Sequence, residues 1–232
     1  MKSDIFNYFS LIRPGMDQHI VLIGDLIASK ELGDKDRERY QSNLTEEVSR
    51  INQRSSSLVS PLTITLGDEF QAVYNDLSTV LADSWSILEV MHPVGVRFSI
   101  GIGEIHTPIN SEQALGMDGP AFHAARDGMG KIKESGRIYN IRLGSPADQP
   151  EESLALVSLV NDSLQLLSSE VMTWKKTRLQ ILVMLDKGLS VKKIADEISI
   201  SESAVYKNRD EGDLRLILDL KESIGKNINR IL

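Results

Sequence analysis

The sequence predicts an α/β (α+β) chain: a ferredoxin-like domain followed by an all-α helix-turn-helix domain. Three observations carry this. Apolar runs and amphipathic stretches alternate in the order β-α-β-β-α-β over the first half, the order of the split βαβ arrangement. A polar stretch, Gly144-Ser145-Pro146-Ala147-Asp148-Gln149-Pro150, then reads as a linker. Beyond it the pattern is helical throughout. The expected organisation is an N-terminal extension over 1–17, a sheet domain over 18–143, a linker and connecting helix over 144–173, and a helix-turn-helix domain over 174–232.

His19 to Ile23 is an apolar run that reads as a buried first strand. Asp34 to Gln53 is a polar helix with Tyr40, Leu44, Val48 and Ile51 at three-to-four spacing, ended by Ser55-Ser56-Ser57. In Leu62 to Leu66, apolar residues alternate with Thr63 and Thr65, as in a half-buried strand. Gly67-Asp68 supplies a tight turn, and Phe70 to Tyr74 the returning strand. Leu77 to Met91 is a second helix. Val94 to Ile105 is a long strand whose Gly95, Gly101 and Gly103 mark bulges or close backbone approach. Ala121 to Ile132 is a third helix, Arg137 to Ile141 a short strand, and Glu151 to Thr173 the connecting helix.

The C-terminal part shows helices at Thr177 to Asp186, Val191 to Ile198, Glu202 to about Asp210, and Leu214 to Leu232. Ser190 and Ser201 stand where helix N-caps are needed. Ala195 is small where two helices cross, and Ile194, Ile198, Ile200 and Val205 can close a compact core. In a helix-turn-helix the third of these helices lies in a major groove. Ser203, Tyr206 and Lys207 are then its reading positions, with Lys192, Lys193 and Arg209 nearer phosphates. The acidic Asp210 and Glu211 oppose that use. A helical interaction or dimerisation domain, built on the stripe Leu214, Leu216, Ile217, Leu220, Ile224, Ile228 and Ile231, is the alternative.

Composition sets the limits. The 232 residues include no cysteine, which excludes disulfides and thiolate metal sites. No apolar run approaches ~18 residues, so no membrane span is expected. The first residues are too mixed for a signal peptide, and a cytoplasmic protein is expected. Residues 1–173 hold 14 basic and 24 acidic residues, whereas residues 174–232 hold 12 and 9. An acidic body with a basic tail suggests two modules with different partners.

The chemistry concentrates in two carboxylates. Asp25 follows the first strand and Asp68 the second. A carboxylate just past a buried strand is costly without a partner. Two of them on neighbouring strands repel unless a cation sits between them. Mg²⁺ or Mn²⁺ suits such a site, since Mg²⁺ takes one or two carboxylates with waters and phosphates. Each aspartate alone also has an ordinary reading, as a turn residue or a strand-end cap.

Four segments stand in order along Gln18 to Leu143: Asp25-Leu26-Ile27-Ala28-Ser29 at the first strand, Gly67-Asp68 at the hairpin, Arg97-Phe98-Ser99-Ile100-Gly101-Ile102-Gly103 in a later strand, and Gly119-Pro120-Ala121-Phe122-His123-Ala124-Ala125-Arg126 in a helix ending in arginine. By these segments the chain resembles the SatD family, itself similar to class III nucleotidyl cyclases and more distantly to diguanylate cyclases. The first two fit those cyclases' first-strand metal segment and hairpin aspartate. The departures fall at Ile64, where those cyclases select a purine with Lys or Glu, and at Phe122, where they carry an Asn. Leu66 stands where the diguanylate cyclase signature has Gly.

The resemblance implies that Asp25, Asp68 and the Leu26 carbonyl hold the ions. It places Ile27, Ala28 and Ser29 near a nucleoside triphosphate, with Arg126 offsetting charge on its phosphates in a catalytic role. It also implies a homodimer. The expected function is a ligand-responsive regulator, in which a nucleotide-binding domain reports to double-stranded DNA through the helix-turn-helix. The alternatives are an active divergent nucleotidyl cyclase or nucleotidyltransferase, and a catalytically degenerate domain with a dimerising tail.

Overall fold

The computed structural model describes residues 18–27, 33–65 and 68–232. A five-stranded sheet organises the first half. Strand β1 spans His19–Leu26, β2 Leu58–Ile64, β3 Glu69–Tyr74, β4 Val96–Gly103 and β5 Tyr139–Leu143. Their order in the sheet is β2-β3-β1-β4-β5. β1 runs antiparallel to both neighbours, and β5 joins the edge parallel to β4. The expected adjacency of β1 to the β2–β3 hairpin is therefore met.

Helix α1 (Asp34–Arg54) and α2 (Leu77–Met91) cover one face of the sheet, and α3 (Pro120–Ser135) covers the other. Alternation along each strand decides which side chains meet which helices. Ile20 and Leu22 of β1, Phe70 of β3, Phe98 of β4 and Tyr139 of β5 face α1 and α2. Across that face Phe98 meets Phe70 edge-on at 6.2 Å and stacks on Tyr139 at 5.2 Å. Val21, Ile23 and Val73 point the other way, against Ala121, Phe122, Ala125 and Met129.

Several element bounds differ from the sequence expectation. β1 runs on to Leu26, so that Asp25 lies inside the strand and not after it, β4 is two residues shorter at each end, and α8 stops at Ile228. β2 begins at Leu58 and ends at Ile64, instead of running from Leu62 to Leu66. Pro61 sits inside it, which an edge strand tolerates, and the pairing register slips on either side of Ser60. β5 lies two residues later than expected. Helix α3 runs past Ile132 to Ser135, where Gly136 closes it in the left-handed conformation at φ 71°. Leu66 and Gly67 of the expected turn, and the 1–17 extension, lie outside the described residues.

The C-terminal half is helical: α4 (Glu151–Val171), α5 (Lys176–Asp186), α6 (Val191–Glu197), α7 (Glu202–Glu211) and α8 (Leu214–Ile228). No described helix is long and apolar enough to cross a membrane. α5 and α8 dock on α2. Asn229 accepts from the Leu77 amide at 3.0 Å and donates to Asp76 at 2.5 Å. Lys221 lies 5.4 Å from the centre of the Trp85 ring and pairs with Asp186. Lys176 sits 3.8 Å from Glu89.

Asp76 is both the N-cap of α2, accepting from the Thr79 amide at 2.7 Å, and the tie to Asn229. Burial acts to raise its pKa. Hydrogen bonds from Thr79, Asn229 and Ser78 outweigh that and hold it below the usual 3.8. A lowered carboxyl contributes stability above its unfolded pKa and loses it as pH falls through the folded value. Asp76→Ala is accordingly expected to cost about 1–2 kcal/mol near pH 7. Melting curves from neutral to strongly acidic pH should show the difference from wild type shrinking once pH falls below the usual carboxyl range.

Candidate functional site

The C-terminal end of β1 carries the candidate site. Asp25 is the last residue but one of the strand and only 8% exposed. Its Cα partners are Glu69 on β3 and Arg97 on β4. Residues paired directly across antiparallel strands share a face, so Asp25, Glu69 and Arg97 stand in a row on the α3 side. Arg97 donates from Nη1 to Asp25 Oδ2 at 3.1 Å. Lys133, in the last turn of α3, brings Nζ to the same oxygen at 3.3 Å. Two acids side by side would repel, and these two cations offset that charge.

Asp68 lies beside the same strand end. Its carbonyl accepts from the Leu26 amide at 3.4 Å. The next amide, Ile27, donates to the Gly95 carbonyl at 2.8 Å. β1 is thereby clamped between the β2–β3 turn and the approach to β4. Ala28 and Ser29, expected near phosphates, lie outside the described residues. Among the described residues no group of three or more His, Asp or Glu side chains is placed to hold a metal ion. The oxygen donors expected from the sequence are Asp25, Asp68 and the Leu26 carbonyl; of Asp68, the backbone is what meets β1. That donor chemistry suits a hard divalent cation whose remaining positions go to water and phosphate. With such an ion bound, Asp25 and Asp68 would hold it, and its positive charge would draw in phosphate oxygens.

Arg126 stands elsewhere. It shares α3 with Lys133 but precedes it by two turns, roughly 10 Å along the helix axis. There it donates to Asp118 at 3.3 Å and lies 5.6 Å from the Phe122 ring centre. His123 meets the same Asp118 oxygen at 3.0 Å. A slight desolvation works to raise the Asp118 pKa, but the Arg126 hydrogen bond and the His123 charge hold it down. The three polar groups form an exposed cluster separate from Asp25 within one chain.

Sequence reasoning missed two members of the Asp25 cluster. Arg97 enters the sequence reading only as the start of the segment Arg97 to Gly103, and the strand register makes it a partner of Asp25. Lys133 lay just beyond the helix end expected at Ile132; the Gly136 stop signal places it inside the last turn. The register also puts Glu69 on Asp25's face.

The family model for SatD matches residues 19–227. The chain belongs to the SatD family. No curated protein matches it. Among solved structures, it is similar to a bacterial light-regulated adenylyl cyclase at 16% identity and TM-score 0.39, over 55% of this chain and 77% of that one. It is also similar to the guanylyl cyclase domain of the RhoGC fusion protein from the aquatic fungus Blastocladiella emersonii. That match has 15% identity and TM-score 0.38, over 49% of this chain and 73% of that one.

In the C-terminal half of this SatD chain, Ser190 caps α6 by accepting from the Lys193 amide, and Ser201 caps α7 by accepting from Ala204. Ile194, Ala195 and Val205 are buried where α6 crosses α7. Ser203, Tyr206 and Lys207 are exposed along α7, and Lys192 and Lys193 along α6. Arg209 lies 4.7 Å from the Tyr206 ring centre and bonds to Asp210 at 2.7 Å. Lys207 reaches Glu211 at 3.8 Å.

Proposed function

We propose that this SatD-family chain binds a nucleoside triphosphate with Mg²⁺ or Mn²⁺ at the end of β1. Through a DNA-binding helix-turn-helix formed by α5, α6 and α7, it acts as a ligand-responsive regulator in the cytoplasm. The observation that carries this reading is the Asp25 cluster. A buried carboxylate at a strand end, with Asp68 alongside and Arg97 and Lys133 beside it, offers partners to both a cation and its phosphates. Metal-bound phosphates would be held by positioning and charge, which is the protein's share of phosphoryl chemistry.

Coupling has a physical route. β3 leads within three residues into α2, and α2 is the surface on which α5 and α8 dock. A ligand that tightens the β1–β3 end acts on the start of β3, whose other end leads into the helix that seats the helical module. On α7, Ser203, Tyr206 and Lys207 would face base edges. Lys192, Lys193 and Arg209 would exchange water or carboxylate partners for DNA phosphates.

The test is retention of the full-length protein by a pool of duplex DNA over a range of salt, with and without Mn²⁺ and a triphosphate. Replacing Lys192 and Lys193 by Ala should reduce the salt slope by about one for each phosphate no longer neutralised. Affinity should change when the triphosphate is present. Retention that ignores salt, or none at all, would remove DNA from the reading.

A second reading, a divergent nucleotidyl cyclase or transferase, draws support from the exposed Arg126, His123 and Asp118 cluster. Since Arg126 is two turns away from Lys133 in its own chain, it would serve the Asp25 site of a second copy. Product formation lost in Asp68→Asn, and restored by mixing Asp68→Asn with Arg126→Ala chains, would select that reading.

A further inference from the structure

We infer that Lys133 is a resident counter-ion of the metal site: it neutralises Asp25 while no metal is bound and turns to the phosphates when one is. This rests on the metal–nucleotide reading above and adds a residue to it. Lys133 and Arg97 both contact Asp25 Oδ2, at 3.3 Å and 3.1 Å. They differ in how free they are to leave. The Arg97 side chain is 20% exposed and anchored in β4, with Nε buried and lacking a hydrogen-bond partner. The Lys133 side chain is 47% exposed, at the end of a helix and on a flexible four-carbon stem.

A divalent ion on Asp25 would place a like charge beside the ammonium, which disfavours the present contact. The ammonium's three donors and its long stem then let it move toward solvent, where a metal-bound triphosphate presents its oxygens. Arg97 cannot follow without abandoning a buried strand position. Lys133 therefore opposes metal binding in the absence of nucleotide and supports it in its presence, so that metal and phosphates are taken up together. No covalent step is involved.

The experiment uses full-length protein and two probes, Mn²⁺ alone and inorganic tripolyphosphate with Mn²⁺ saturating. Mn²⁺ binding is read by electron paramagnetic resonance and tripolyphosphate binding by calorimetry. For Lys133→Met, Mn²⁺ alone should bind about fivefold tighter, the size expected on removing a partly exposed ion pair. Tripolyphosphate should bind more weakly by a similar factor. Lys133→Arg should restore phosphate binding toward wild type. Lys133→Met with unchanged or weaker Mn²⁺ binding, while Asp25→Asn abolishes it, would overturn the role of Lys133 alone. Mn²⁺ binding that Asp25→Asn leaves untouched would overturn the metal site itself, and this inference with it.

Discussion

Gly101→Ala is expected to destabilise the chain by about 3 kcal/mol, and Gly101→Val by more. Gly101 lies in β4 opposite Val21 of β1 and Arg142 of β5, under the first turns of α3. A Cβ there would come 2.0 Å from the Ala121 carbonyl oxygen and 2.5 Å from the Ala125 amide nitrogen. Both are backbone atoms of a helix, so no rotamer change relieves the clash. α3 would have to lift from the sheet, opening the cluster of Val21, Ile23, Val73, Phe122 and Met129. Lys133 would move with it and leave Asp25. Gly130 makes the control. It lies in the same helix, and a Cβ there meets nothing within 4 Å. Gly130→Ala should stabilise by about 0.5–1 kcal/mol, because alanine restricts the unfolded chain and favours helix. Chemical denaturation of the two variants checks both signs.

Much of this architecture is written in periodicity. Leu77 to Met91 forms a helix over the expected residues, and the order of strands and helices through β4 is the expected one. Glycines within a strand such as β4 signal close backbone approach, and Gly101 is such a place. β2 is harder to read. Its Pro61 resembles a strand breaker, and its irregular register spoils alternation, since an edge strand has only one neighbour to satisfy. The caps at Ser190 and Ser201 are readable because a helix start needs a side-chain acceptor, and serine there has little other use.

The site is only partly legible. A carboxylate after an apolar run is a local signal, and it leads to Asp25 and Asp68. Which cations answer it is a matter of register and helix length, and neither is local. Arg97 meets Asp25 because β1 and β4 pair Gly24 with Phe98 and Asp25 with Arg97. A one-residue slip would send Arg97 to the other face. Lys133 meets Asp25 only because α3 continues one turn beyond its apolar face. Arg126 is linked to the phosphates by resemblance alone. Along α3 it stands toward the opposite end from Lys133, on Asp118.

Asp25→Asn is expected to have the largest functional effect. The side chain is 12% exposed and takes both Arg97 and Lys133 on one oxygen. Its neutral replacement leaves those cations facing each other, and removal of one partner from a mostly buried pair is costly. The free protein should lose about 1–3 kcal/mol by this route. The greater loss is of ligand. A ligand that binds only the folded state stabilises it by mass action, about 2.7 kcal/mol at a hundredfold excess over Kd. For a chain of this length that amounts to a rise of roughly 5–10 °C in melting temperature. On the proposed reading, removing the Asp25 charge takes the anchor from the ion and from its phosphates, and the rise should vanish.

The most direct measurement is therefore the melting temperature of full-length wild type, Asp25→Asn and Asp68→Asn. Each is melted alone, with Mg²⁺ or Mn²⁺, and with the metal plus each nucleoside triphosphate. A rise that needs both metal and triphosphate in wild type, and is lost in both variants, is the predicted result. A wild-type protein that melts at the same temperature under every condition would contradict the nucleotide site and return Asp25 to a structural role between Arg97 and Lys133.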